Sequence, residues 1–414
     1  MRQVFQAHYP SRSTAATALL DTCDNETSFF LATPTQTLLA QGVRDILSGA
    51  SEAIARHDLP RQAKALLAQH SQLGLPQMPL VGAVPFDDSA AVHLFLPHHL
   101  YRAGPLRNEA SVRMARSDRG RCTCQLIPEP AGYMEGVEQA LSHIQHSALL
   151  KVVLARTLEL SFSDAIDLGE LLRNLAYCNR FGYTYLMDLA PFQPLGPQST
   201  LTARRLIGAS PELLVRRQGM QVAANPLAGS APRSGDSRVD RQRAEALMTS
   251  HKDRHEHAVV VEEIADRLSP FCCQLEVPAV PDILQTDSMI HLSTYIRGTL
   301  RDAQTCALSL ALALHPTPAV CGAPVQCAYS AIHSIEPFAR RYFTGLVGWV
   351  DEQGDGEWAV TIRCGETEGC RLRLYAGAGV VAGSTAEGEL AETTAKFRTM
   401  LKALGLEQLL EVSA

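Results

Sequence analysis

The sequence predicts an α+β protein, with strands and helices packed as a sandwich in one large unit. Three observations point there. Strand-like and helical runs mix throughout the 414 residues with no simple short-period repeat, which argues against a succession of βαβ units. The chain is 46% apolar and only 19% charged, a globular composition that can bury one very large core or two to three ordinary ones. A Gln218-Gly219 pair splits the run from Leu213 to Val222 into a hairpin, joining neighbouring strands directly.

Each element follows in order. Phe29 to Thr33 and Gln36 to Gly42 read as two short strands across a polar turn. Glu52 to Gln69 is helical in composition, divided at Pro60, with the second piece starting near that proline. Leu80 to Phe86 and Ala91 to Leu96 are further strands, and Arg102 to Cys124, rich in arginine and serine, reads as a surface excursion. A helix begins near Met134, a strand at Leu149, a helix spans Leu168 to Arg180, and a strand Tyr183 to Leu189. After the hairpin, Asn225 to Ala231 reads as a tight turn of small residues, and one long helix is expected from about Val239 to Leu268.

Composition also excludes. A formal net charge of -6 with dispersed basic residues gives no attraction to nucleic acid or to an acidic membrane surface. The longest apolar segments, such as Ala307 to Leu314, are far short of a bilayer span, and the first residues lack a basic-then-apolar leader, so a cytoplasmic protein is expected. Eleven cysteines without a CxxC pair read as reduced thiols.

Two short stretches carry the chemistry. Lys252-Asp253-Arg254-His255-Glu256-His257 and Gly388-Glu389-Leu390-Ala391-Glu392 each place two carboxylates three residues apart, on one face if helical. Two helices would then offer acidic pairs to one hard cation such as magnesium, which takes few protein oxygens; solvated acidic faces are the alternative. Gly377 to Ser384 leads into the second helix with small residues that let backbone approach a ligand. Lys151 lies in the strand-like run Leu149 to Arg156, where lost solvation would ease its deprotonation and suit a general base, against the plainer reading of a snorkelling or edge-strand lysine. Glu212, in Ser210-Pro211-Glu212, either caps a helix or stands at a strand mouth as a protonated general acid.

Together these pieces resemble the chorismate-utilising enzymes, and most closely their isochorismate synthase members. The resemblance runs in order through Lys151 to Arg156, Gly208 to Glu212, Pro226 to Ser230, Lys252 to His257, His291 to Thr294, His315 to Ala319, Thr361 to Arg363 and Gly377 to Lys396. Residues 1 to about 125 match loosely, as the variable N-terminal part of the same fold, and 126–414 match the chorismate-binding catalytic region, the two expected to form one structural domain. It implies antiparallel-rich sheets packed as a sandwich with helices outside.

Carried over by position, the resemblance implies Glu256 and Glu392 as magnesium carboxylates, with Asp253 and Glu389 beside them. Lys396 would face the ring carboxylate of chorismate, and Arg363 the enolpyruvyl carboxylate, helped by backbone at Gly377 and Gly379. Ala228, Gly229, His291, Thr294 and Phe343 complete the implied substrate contacts. Lys151 matches the lysine that activates water for attack at C2, and Glu212 the acid that protonates the departing C4 hydroxyl. Ala228 carries no amine, which speaks against the aminodeoxychorismate branch, and no glutamine amidotransferase partner is expected. The implied protein is a monomeric, magnesium-dependent isochorismate synthase whose product feeds siderophore or menaquinone synthesis. Salicylate synthase, which goes on to eliminate pyruvate, is the runner-up; in this family tyrosine accompanies salicylate formation at the position of Phe343. A ligand-binding protein without turnover is the non-enzymatic alternative.

Overall fold

The computed structural model describes residues 15–24, 27–47, 56–75, 77–87, 90–106, 122–189 and 203–410. Seventeen of its strands join one sheet and three join a second, and every strand pairing among the described residues is antiparallel. Strands from the first 127 residues belong to the large sheet. Thr27–Ala32 pairs with Tyr183–Asp188, Leu80–Val84 with Leu346–Val350, and Cys122–Ile127 with Lys151–Phe162.

The two faces of a strand explain the layers. Side chains alternate across a strand, so Phe29 and Leu31 enter a core built almost entirely from strands, together with Leu38, Phe95 and Tyr185. Phe30 and Ala32 point the other way. They meet Leu171, Leu172 and Leu175 of helix Leu168–Cys178 and Phe397, Met400 and Leu401 of helix Ala386–Leu404. The sheet therefore buries one face against other strands and the other beneath helices, which is the expected sandwich with helices outside. Each fully buried Leu or Phe contributes roughly 1.5–3 kcal/mol, so the sandwich gains stability from both faces.

Most expected elements appear, with different ends. Strand Thr37–Leu47 continues past Gly42, where φ is +68°, and its pairing with His93–Ala103 slips by one residue between Val43 and Asp45. Of the Glu52–Gln69 region, residues 52–55 lie outside the described residues; the helix is Leu59–Gln72 with Pro60 in its first turn. The excursion from Arg102 to Cys124 is strand at both ends, in His93–Ala103 and Cys122–Ile127, while residues 107–121 lie outside the described residues. The hairpin at Gln218-Gly219 forms as expected, with Gly219 at φ +59°.

Two readings are corrected. The long helix is two helices, Ser237–Thr249 and His251–Leu268, because Ser250 is extended (φ −65°, ψ 119°) and its hydroxyl accepts from the Asp253 amide at 3.2 Å. A serine competes well for an unpaired amide at a helix start, so it ends one helix and caps the next. The Asn225 to Ala231 turn is instead the strand Leu227–Pro232 of the small sheet, with a bulge between Ala228 and Ser230 at Gly229, whose φ is +73°. Helix Ala16–Asp21 had no counterpart in the sequence reading.

Candidate active site

One cavity gathers residues from both sheets and both acidic helices. Its wall includes Glu212, Glu256, His291, Arg363, Glu392 and Lys396. Ala228, Gly229, Phe343, Gly377 and Gly379 complete the expected members found there. Lys151, Asp253, Glu389 and Thr294 stand outside its immediate wall.

Strand geometry places the lysine. Lys151 pairs with Val381 and Val153 with Gly379 in the antiparallel ladder of Lys151–Phe162 and Arg371–Val381. Its side chain is only 1% exposed, and Nζ lies 2.9 Å from Glu256 Oε1. Gly379 is what permits that approach: a β-carbon there would stand 2.2 Å from Glu256 Oε1 and 3.1 Å from Lys151 Cε. The expected edge-strand alternative for Lys151 is not what the structure contains; this lysine is buried and paired.

The acidic pairs lie on separate helices, His251–Leu268 and Ala386–Leu404. Glu392 meets Lys396 Nζ at 2.6 Å and accepts from Ser230 Oγ at 2.9 Å. Burial alone would push its carboxyl up, but Lys396 and Ser230 outweigh that and hold it down. Glu389, 1% exposed in its side chain, meets Lys252 Nζ at 2.9 Å; burial and the Glu392 charge push its carboxyl up. Burial also raises Asp253. Lys396 donates a second bond to the Gly377 carbonyl at 2.7 Å, tying helix to strand.

Glu212 stands between strands Arg204–Ser210 and Leu213–Gln218, so the strand-mouth reading holds and the helix cap does not. Burial pushes its carboxyl up to about 7, against the Leu227 amide and the positive charges of Lys151, Arg363 and Lys396. Arg363 sits in the left-handed region at φ +50° and is 8% exposed. Among the described residues its guanidinium has no hydrogen bond or ion pair, and burial pulls its pKa down to about 10. An unpaired guanidinium in a cavity is costly without an anion to receive it. His291 is held neutral by burial, with Arg363 and Lys396 adding to the effect, and its Nε2 has no partner among the described residues.

Thr294 does not face the cavity. Its hydroxyl is bonded to His257 Nε2 at 2.7 Å, so it orients the neighbour of Glu256. Phe343 lines the wall and stacks on Tyr375 with ring centres 5.1 Å apart and planes 10° apart. Lys252 and Ser230 were not singled out from the sequence. Lys252 was visible only as a neighbour of Asp253, and Ser230 sat in a segment read as a turn.

Could the acidic residues take magnesium? Glu256 and Glu392 are hard oxygen donors from two helices that line the same cavity, and Gly379 leaves room at Glu256 Oε1. Among the described residues no three His, Cys, Asp or Glu side chains converge as a metal cage. A small donor set of carboxylates fits an ion that keeps several waters or an anionic ligand.

No helix among the described residues is long and apolar enough to cross a membrane. Residues 102–405 match the family model described as chorismate binding enzyme. The chain is 48% identical over 382 residues to isochorismate synthase DhbC of Bacillus subtilis (strain 168), covering 92% of this chain and 94% of that protein. It is 41% identical to the vibriobactin-specific isochorismate synthase of Vibrio cholerae, covering 95% and 96%. A crystal structure of a Bacillus anthracis protein assigned as the 2,3-dihydroxybenzoate-specific isochorismate synthase DhbC superposes with a TM-score of 0.86 at 46% identity, covering 94% of this chain and 99% of that one.

Proposed function

The chain belongs to the chorismate-binding enzyme family, and we propose that it interconverts chorismate and isochorismate. What supports this reading most is one cavity wall holding both a buried carboxyl whose pKa is raised to about 7, Glu212, and an unpaired guanidinium, Arg363. Chorismate carries two carboxylates and a leaving hydroxyl, and the wall offers a partner to each.

In this reading Arg363 grips the enolpyruvyl carboxylate with a two-pronged hydrogen bond, and Lys396 faces the ring carboxylate. Glu256 and Glu392 would hold a magnesium ion, with Asp253 and Glu389 reached through water. When bound, the ion neutralises the ring carboxylate. His291, kept neutral, presents Nε2 to the ring. Lys151 takes the proton of the attacking water as the C2–O bond forms and both ring double bonds shift, C1=C2 to C1=C6 and C5=C6 to C4=C5. Glu212 delivers a proton as the C4–O bond breaks. One water enters and one leaves, so substrate and product are isomers and the reverse reaction swaps the two roles.

Phe343 offers the enolpyruvyl end a ring and no hydroxyl, which supports stopping at isochorismate. Purified protein with chorismate and magnesium, resolved by chromatography, tests the reading. Isochorismate as main product in reversible exchange with chorismate is expected. Stoichiometric salicylate and pyruvate would replace the reading with the salicylate synthase one.

A further inference from the structure

Arg340 lies outside the cavity wall, in the segment after helix Val325–Ile335, and its side chain is 1% exposed. Its guanidinium nevertheless reaches that wall at several points. Nη2 donates to the Val153 carbonyl at 2.7 Å, and Nη1 to the Val320 carbonyl at 2.8 Å. Nη1 also reaches Thr344 Oγ1 at 3.4 Å, and the guanidinium carbon lies 5.7 Å from the centre of the Phe343 ring. Val153, Val320, Phe343 and Thr344 all line the cavity. Four wall residues from three separate stretches of chain thus converge on one side chain that does not itself face the cavity.

Glu336 holds the hub in place. Its carboxylate takes bonds from Arg340 Nε at 2.9 Å and from Nη2, and its Oε1 also accepts from the Ala155 amide at 2.8 Å. The pair therefore fixes strand Lys151–Phe162, which starts at Lys151, against the loop bearing Phe343 and Thr344. Thr344 is itself in the left-handed region at φ +60°, a conformation that needs its surroundings to hold it. A planar guanidinium can serve two carbonyls and a carboxylate at once; an ammonium lacks that fork.

We propose that Arg340, braced by Glu336, is a positioning residue that sets the wall formed by Val153, Val320, Phe343 and Thr344 and so fits the substrate's enolpyruvyl end. The inference rests on the proposed reaction. It acts through other residues, so its signature is a split between stability and catalysis.

The test compares Arg340→Met, Glu336→Gln with Arg340→Met, and Arg340→Lys, reading the melting temperature, KM and kcat for chorismate, and the fraction of turnovers that release pyruvate. Arg340→Met alone leaves a buried carboxylate unpaired and loses stability. The double variant removes both charges and is expected to regain most of the melting temperature, while KM stays at least fivefold above the parent and kcat/KM at least tenfold below. Arg340→Lys is expected to keep the fold and show the same catalytic loss with more pyruvate released. A double variant whose kcat/KM returns in step with its melting temperature would overturn the proposal, because charge balance alone would then be its role. Should the double variant not fold, parental kcat/KM in Arg340→Lys overturns it equally. A parent protein that does not turn over chorismate counts against the reaction instead, and so separates the two failures.

Discussion

Lys151 Nζ and Glu256 Oε1 meet at 2.9 Å over the α-carbon of Gly379, which leaves them the space a methyl group would fill. The base proposed for water and a carboxylate proposed for the metal are thus placed by one glycine on a third element. Gly379→Ala puts a methyl group into that contact. The nearest atom is the end of a flexible glutamate, so the fold should survive with a melting temperature within a few degrees of the parent. Magnesium-dependent turnover should fall at least tenfold, read by isochorismate formation across a magnesium series. Parental turnover would show that the contact does not serve the reaction.

Glu256→Gln and Glu392→Gln each remove an anionic donor from the cavity wall. The magnesium concentration for half-maximal turnover should rise at least tenfold in either, and calorimetric titration of magnesium should weaken in parallel. Unchanged magnesium dependence in both would reassign the metal site.

Lys151→Ala should lower kcat by roughly 10²- to 10⁴-fold, the usual contribution of a positioned proton-transfer group. Chorismate binding, followed by equilibrium titration, should persist because Arg363 and Lys396 remain. Isochorismate production within a few-fold of the parent would mean another group activates the water.

Glu212 links pH to both rate and stability. Its folded-state pKa is raised, to about 7, from an ordinary value of 4.5, so the folded protein holds a proton that the unfolded chain has released between those values. Stability from this group is therefore undiminished below about pH 4.5 and declines as pH rises to 7, by about 3 kcal/mol. The forward rate, which needs the protonated acid, should fall as pH rises through about 7. Glu212→Gln should remove that stability slope in urea melts at several pH values and abolish turnover. A slope that persists in the variant would place its origin elsewhere.

Phe343→Tyr puts a hydroxyl beside the substrate end where the parent has only a ring stacked on Tyr375. Pyruvate release per chorismate consumed, expected at background in the parent, should rise measurably above it. Pyruvate that stays at background would show that the ring edge does not decide the product.

Some of the site was legible because its signals are local. The i, i+3 carboxylates of Asp253 and Glu256, and of Glu389 and Glu392, need only a helix to share a face, and both helices formed. Gln218-Gly219 turned a hairpin because a glycine takes φ +59° without strain. Glu212 at a strand mouth followed from that hairpin. Where local signals competed, the reading failed: Ser250 favours capping over continuing a helix, and Gly229 makes a bulge within a strand, where composition suggested a turn.

By itself, the sequence determined the α+β class, the two acidic helices and the residue types of the proposed site. Only the tertiary structure decided which charges meet. Lys151 with Glu256, Lys252 with Glu389, Thr294 with His257, and Arg340 with the backbone of Val153 and Val320 are contacts between residues far apart in the chain. Pattern and propensity act over a few residues, whereas ion pairs, burial and the pKa of Glu212 depend on what packing brings from elsewhere.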